Sequence, residues 1–80
     1  MPAMIIDEIK TIVSVQLGIS GIDKESHIIQ DLGAESADVV GIVAALEDKY
    51  GITIDEGELA DIQTVEQLSD LVQKKLPPDK

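Results

Sequence analysis

Apolar residues recur at helical spacing in three stretches of the chain. Ile5, Ile6, Ile9, Ile12, Val13 and Leu17 fall on one broad face, which predicts a helix from about Ala3 to Leu17. Pro2 suits its first turn, Asp7 and Glu8 complement its positive end, and Gly18 is a stop signal. Val39, Val40, Ile42, Val43, Leu46 and Tyr50 supply the apolar face of a second helix from Ser36 to Tyr50, closed by Gly51. Gly41 lies inside that helix and costs it about 1 kcal/mol relative to alanine unless a close packing contact compensates. Val65, Leu68, Leu71, Val72 and Leu76 form a third stripe. It opens on Thr64-Val65-Glu66-Gln67, a capping box, and Lys74 and Lys75 suit its negative end before Pro77-Pro78 stops it.

The intervening segments have no sustained period. Residues 18–35 carry turn signals at Gly18, Ser20, Gly21 and Gly33. A connection of this length needs anchors, and Ile19, Ile22, Ile28, Ile29 and Leu32 can pin it to a core, with room for a short helical turn. Ile52-Thr53-Ile54 alternates like a strand but has no partner, so an extended connector is expected. Asp55 to Ile62 fits one short helical turn with Leu59 and Ile62 facing inward. The expected architecture is all-α: a small four-helix bundle of three main helices and one short one. It forms one domain over residues 1–80, ordered from about 3 to 76 with a frayed C-terminal tail.

Composition then narrows the function. Sixteen Asp plus Glu stand against six Lys, giving a net charge of −10. Nucleic acid is repelled by such a surface, whereas basic protein partners are attracted to it. The 80 residues contain no cysteine, so disulfides, cysteine zinc sites and thiol nucleophiles are excluded, and any thiol chemistry must come from a prosthetic group. Tyr50 is the single aromatic residue, leaving no rings on which to stack bases or a planar cofactor. No targeting segment or membrane-length apolar run is evident, so a cytoplasmic monomer without membrane insertion is expected.

The candidate chemistry centres on Ser36, at the head of the second helix. A serine there is first of all an N-cap candidate. The same position exposes the hydroxyl, and the amides and dipole of a helix start favour a phosphate, although Glu35 and Asp38 partly offset this. Catalysis by Ser36 would need a neighbouring base. His27 is the lone histidine, nine residues upstream in a loop, and is read as a solvated residue. Gly33-Ala34-Glu35-Ser36-Ala37 does not fit a nucleophile elbow. Asp55, Glu56, Glu58 and Asp61 lack the spacing of a calcium loop, so no metal site is expected. A displayed but unassisted serine points to attachment, not to enzyme activity.

Three segments carry a resemblance. Asp31-Leu32-Gly33-Ala34-Glu35-Ser36, Ala45-Leu46-Glu47-Asp48-Lys49-Tyr50-Gly51-Ile52 and Ile62-Gln63-Thr64-Val65 resemble the D-L-G-A-D-S, A-L-E-E-E-F-G-I and I-x-T-V segments of the acyl carrier protein family. The likeness covers Ile5 to about Leu76. It implies a covalent 4′-phosphopantetheine on Ser36, placed there by a phosphopantetheinyl transferase (holo-carrier synthase) using coenzyme A and Mg²⁺. The terminal thiol of that arm would hold acyl groups as thioesters for fatty-acid, polyketide or related pathways. The resemblance also implies docking of basic-patched acyl-processing enzymes at Glu35, Ala37, Asp38, Glu47 and Asp48, extended by Glu56 and Asp61. It implies, further, that an acyl chain retreats between the helices, near small residues such as Ala44, Ala45 and Ala60. Two departures fall on the docking face: Ala37 replaces a common leucine and Gly41 a common acidic residue. They point to a specialised carrier. Alternatives are aminoacyl or D-alanyl cargo, or a non-catalytic structural subunit of the same fold.

Overall fold

The computed structural model describes residues 5–76. Four helices occur in order: α1 (Ile5–Leu17), α2 (Ser36–Tyr50), α3 (Glu56–Leu59) and α4 (Val65–Lys75). The all-α expectation is met, with three main helices and one short one and no strand among the described residues. The expected start of α1 at Ala3 and the frayed tail beyond Leu76 lie outside the described residues.

Local signals set most boundaries. Gly51 adopts a left-handed φ of 66°, and its N–H donates to the Glu47 carbonyl at 2.9 Å, ending α2 as a glycine cap should. Thr64 Oγ1 accepts from the Gln67 N–H at 3.1 Å while Gln67 Oε1 accepts from the Thr64 N–H at 3.0 Å. This is the reciprocal box that the sequence predicts.

Apolar stripes then define the core. Ile9 and Val13 of α1, Ile42, Val43 and Leu46 of α2, and Val65, Leu68 and Val72 of α4 are buried together with Ile28, Ala34 and Ile54 from the connections. α1 packs against both α2 and α4. Removing a side chain such as Leu46 would forfeit its transfer energy and leave a cavity, a loss of about 2–5 kcal/mol. Two residues depart from the expected inward set. Val40 is 68% exposed and Ile29 is 63% exposed. The inward stripe of α2 is Val39, Ile42, Val43, Leu46 and Tyr50. Val40 lies one residue, about 100°, around the helix from Val39, at the edge of that stripe, and turns outward.

The long connection 18–35 is held at both its ends and its middle. The Ser14 hydroxyl donates to the Ile19 carbonyl. Further on, the N–H groups of Asp31 and Leu32 donate to the His27 carbonyl at 2.8 and 3.0 Å, and Ala34 N–H donates to the Ile28 carbonyl at 3.1 Å. This is the short turn for which the sequence leaves room. An isolated antiparallel bridge joins His27 to Thr64. The Val65 and Glu66 N–H groups donate to the Ser26 and Lys24 carbonyls at 3.2 and 2.8 Å, and Ile28 N–H donates to the Gln63 carbonyl at 2.8 Å. Amides in the first turn of α4 have no partner inside the helix, so the loop supplies one. The connection is long because it crosses the bundle to reach that helix end.

Candidate functional site

Ser36 is exposed and is the first residue of α2. The residue in the capping position is Glu35, with extended backbone at φ −99° and ψ 172°. Ser36 is therefore not the N-cap that a serine at a helix start suggests. Gly33, at φ 72°, turns the chain after the Asp31 turn, and buried Ala34 anchors it. Asp38 Oδ2 accepts from the Glu35 N–H at 3.0 Å, which fixes the entry into the helix. This arrangement leaves the serine hydroxyl outside the capping interaction and directed by the first turn, beside amides of Ser36 and Ala37 that have no acceptor within the helix.

No base stands ready for Ser36. His27 is tied to a different carboxylate: Asp31 Oδ2 accepts from the His27 backbone N–H at 2.8 Å and lies 3.4 Å from its Nδ1. That backbone hydrogen bond, with a smaller contribution from the imidazole, holds the Asp31 carboxyl below the usual carboxylate range. His27 lies in the connection with its side chain 39% exposed, while its backbone pairs with Thr64.

The remaining site residues divide by environment. Glu35, Ala37, Asp48, Glu56 and Asp61 are exposed, and Asp38 and Glu47 are half-buried. Glu47 Oε2 accepts from the Ile54 N–H at 2.8 Å, so that carboxylate also clamps the connector after α2. Gly41 is half-buried beside α1, where an added Cβ would stand 2.9 Å from Gln16 Oε1. Gln16 is exposed and its amide is the far end of a flexible side chain, so this contact alone does not offset the helical cost of Gly41. Among the described residues no group of three or more His, Asp or Glu is arranged to hold a metal ion.

A cavity of about 300 Å³ opens between α2, α3, α4 and the loop. Val39, Ile42 and Val43 of α2, Leu59 and Ala60 at α3, and Leu68 of α4 form its apolar walls, with His27, Gln30 and Gln63 among its polar members. Val39 is three residues beyond Ser36, so the cavity begins one helical turn from the serine. Of the small residues expected to admit a chain, Ala60 lines this cavity. Ala44 is exposed and Ala45 is half-buried outside the cavity lining, because their side of α2 faces away from α3.

Comparison with known proteins decides the family. Residues 7–72 match the family described as the phosphopantetheine attachment site. An acyl carrier protein from Thermotoga maritima is 36% identical over 74 residues, covering 90% of this chain and 91% of that protein. The chain belongs to the acyl carrier protein family. The crystal structure of a Thermotoga maritima acyl carrier protein superposes with a TM-score of 0.73 at 32% identity, covering 88% of this chain and 84% of that one. The solution structure of a holo acyl carrier protein from Geobacter metallireducens shares the fold, with a TM-score of 0.78 at 24% identity over 91% of this chain and 86% of that one. This carrier accordingly works with a covalently bound phosphopantetheine and with acyl-processing enzymes, and it is not itself a catalyst. The exposed serine at the helix start, free of a capping role, fits attachment of a phosphodiester. No helix among the described residues is long and apolar enough to cross a membrane.

Proposed function

We propose that Ser36 is the residue that bears 4′-phosphopantetheine, and that the protein presents acyl intermediates of a fatty-acid, polyketide or related specialised pathway to successive enzymes in the cytoplasm. One observation carries this reading: an exposed serine stands at the first position of α2, one turn from Val39 in the wall of an apolar cavity. When bound, the arm supplies a terminal thiol that holds acyl groups as thioesters. The protein's own residues do the rest. Ser36 offers the hydroxyl, the α2 amides and dipole favour the phosphate beside it, and the cavity withdraws the cargo from water. Tethering raises the local concentration of cargo at each partner enzyme.

The cavity supports an aliphatic cargo over an aminoacyl or D-alanyl one. Its walls are mostly apolar, and a charged ammonium would lose hydration there without a paired carboxylate. At ~30 Å³ per chain atom, close to the share of a water molecule in the liquid, about ten atoms fit. Docking is assigned to the start and outer side of α2 through Glu35, Ala37, Asp38, Glu47 and Asp48, with Glu56 and Asp61 extending the acidic surface. The carrier acts as one domain and a monomer.

Intact mass spectrometry tests the assignment. Incubation with coenzyme A, Mg²⁺ and a broad-range phosphopantetheinyl transferase should add one arm to the wild type and none to Ser36→Ala. An arm retained in that variant would place the attachment elsewhere.

A further inference from the structure

The lining of the cavity is sorted by exposure. Ile42 and Leu68 are 1% and 2% exposed, so its floor is dry and aliphatic. His27, Gln30 and Gln63 line the same cavity, yet both glutamines are exposed and the His27 side chain is 39% exposed. These polar members therefore stand where the cavity meets solvent, beside exposed Ile29 and Ala60. Backbone bonds gather the three around buried Ile28. Its N–H donates to the Gln63 carbonyl at 2.8 Å, and its carbonyl accepts from the Ala34 N–H at 3.1 Å. The polar rim is thereby tied to the segment that reaches Ser36 two residues later. Gln63 is anchored by its backbone, whose N–H donates to Gln67 Oε1 at 2.7 Å, so its side-chain amide is not the anchor. His27 turns Nδ1 towards Asp31 Oδ2 at 3.4 Å, which leaves Nε2 on the other side of the ring.

A cargo tethered by its thioester enters such a cavity tail first. Its far carbons reach the floor, and the carbons next to the thioester stop at the rim. An oxygen carried to the floor would lose its hydrogen bonds to water without replacement, whereas one at the rim meets donors and acceptors. A carboxylate is disfavoured there, because Asp31 stands beside His27 and the chain carries a net charge of −10. A hydroxyl is neutral and both donates and accepts, as a carboxamide does. We propose that the His27–Gln30–Gln63 rim selects a 3-hydroxyacyl chain, holding its hydroxyl at the opening while its tail lies against Ile42 and Leu68. The inference rests on Ser36 being the attachment residue and on the cavity receiving the cargo. It deepens that reading by naming the class of acyl chain.

Protection of the thioester tests it. A broad-range phosphopantetheinyl transferase loads the carrier from octanoyl-, 3-hydroxyoctanoyl-, 8-hydroxyoctanoyl- or malonyl-coenzyme A. Intact mass then follows cleavage by hydroxylamine, and each rate is divided into that of the same thioester on coenzyme A, which removes intrinsic reactivity. The 3-hydroxyoctanoyl form should be protected about fivefold more than the octanoyl form, the worth of one hydrogen bond. The combined variant His27→Leu, Gln30→Met, Gln63→Met should lose that gain while keeping its octanoyl protection. Equal protection of the two chains in the wild type would overturn the proposal, and so would a gain that survives in the variant. That first comparison needs no substitution, so it decides even if the variant does not fold. Strongest protection of 8-hydroxyoctanoyl would place the polar groups at the tail, and strongest protection of malonyl would make charge the selector; either overturns it. All these outcomes leave the Ser36 assignment standing, whereas failure of the wild type to load on Ser36 would remove both.

Discussion

At the scale of single residues, the consequential side chains work by being held or left free. Ser36 is left free, because Glu35 takes the capping position and Asp38 bonds the Glu35 amide. Tyr50 is held: its phenol donates to Glu8 Oε1 at 2.6 Å, joining α2 to α1. Burial, reinforced by the Glu8 carboxylate, pushes the phenol well above the ordinary tyrosine value of about 10. The sign of the linkage follows. A group whose pKa is raised on folding contributes its full stability below the unfolded value and loses it as pH climbs towards the folded value. Tyr50 is the only aromatic residue, so phenolate absorbance reports it alone. That absorbance should stay suppressed past the normal tyrosine range and then appear together with loss of helical circular dichroism. Tyr50→Phe should cost about 1 kcal/mol, modest because the pair is only half-buried. An ordinary tyrosine titration in the native protein would refute the contact. The spacing of Glu8 and Tyr50 in the sequence gives no hint of it, since it joins residues that only tertiary packing brings together.

At the scale of elements, what was legible in the sequence was local. Gly51 and the Thr64–Gln67 box announce helix ends through chemistry confined to a few neighbouring residues, and the structure bears both out. Helical spacing likewise marks Ile9, Val13, Leu46, Leu68 and Val72 as core. The misassigned positions are those where two faces or two segments compete. Val40 sits at the edge of the α2 stripe and turns outward, and Ile29 extends from a loop that has no period. The backbone pairing of His27 with Thr64 was hidden because it depends on where the loop crosses α4. The cavity was hidden for the same reason, since its walls come from four separate segments. Ser36 itself was legible from its motif, but its freedom from capping required the backbone. The end of α4 gives a direct test at this scale. Loop carbonyls already satisfy the Val65 and Glu66 amides, so Thr64 Oγ1 serves the Gln67 amide. Thr64→Ala should cost about 1 kcal/mol and lower Tm by roughly 4–8 °C. An unchanged melt would mean that the loop, not the cap, secures this helix end.

At the scale of the whole molecule, charge is the unbalanced quantity. Ten more negative than positive charges are carried on 80 residues. Local compensation among the described residues is sparse: Lys75 Nζ meets Glu58 Oε1 at 2.8 Å, and Lys24 Nζ lies 3.9 Å from Glu66 Oε2. The Glu58 carboxyl is held below its ordinary range first by its backbone bond at Asp55 and then by Lys75. Exposed pairs of this kind contribute little, while self-repulsion of the net charge opposes the compact state throughout. The same field favours encounter with basic partners, so a cost in stability accompanies a gain in encounter rate. Screening should separate the two effects. At an ionic strength of about 0.1 M the field falls off over roughly 10 Å, less than the span of the molecule. Tm should therefore rise by several degrees between low and moderate salt, as each kcal/mol of relieved repulsion is worth about 4–8 °C for a domain of this size. Arm transfer should slow over the same range through a lower association rate. With no grouped metal ligands among the described residues, MgCl₂ and NaCl should act alike at matched ionic strength. A melting temperature that salt leaves unchanged or lowers would show that the acidic surface is not under strain, and that its charge serves encounter without opposing the fold.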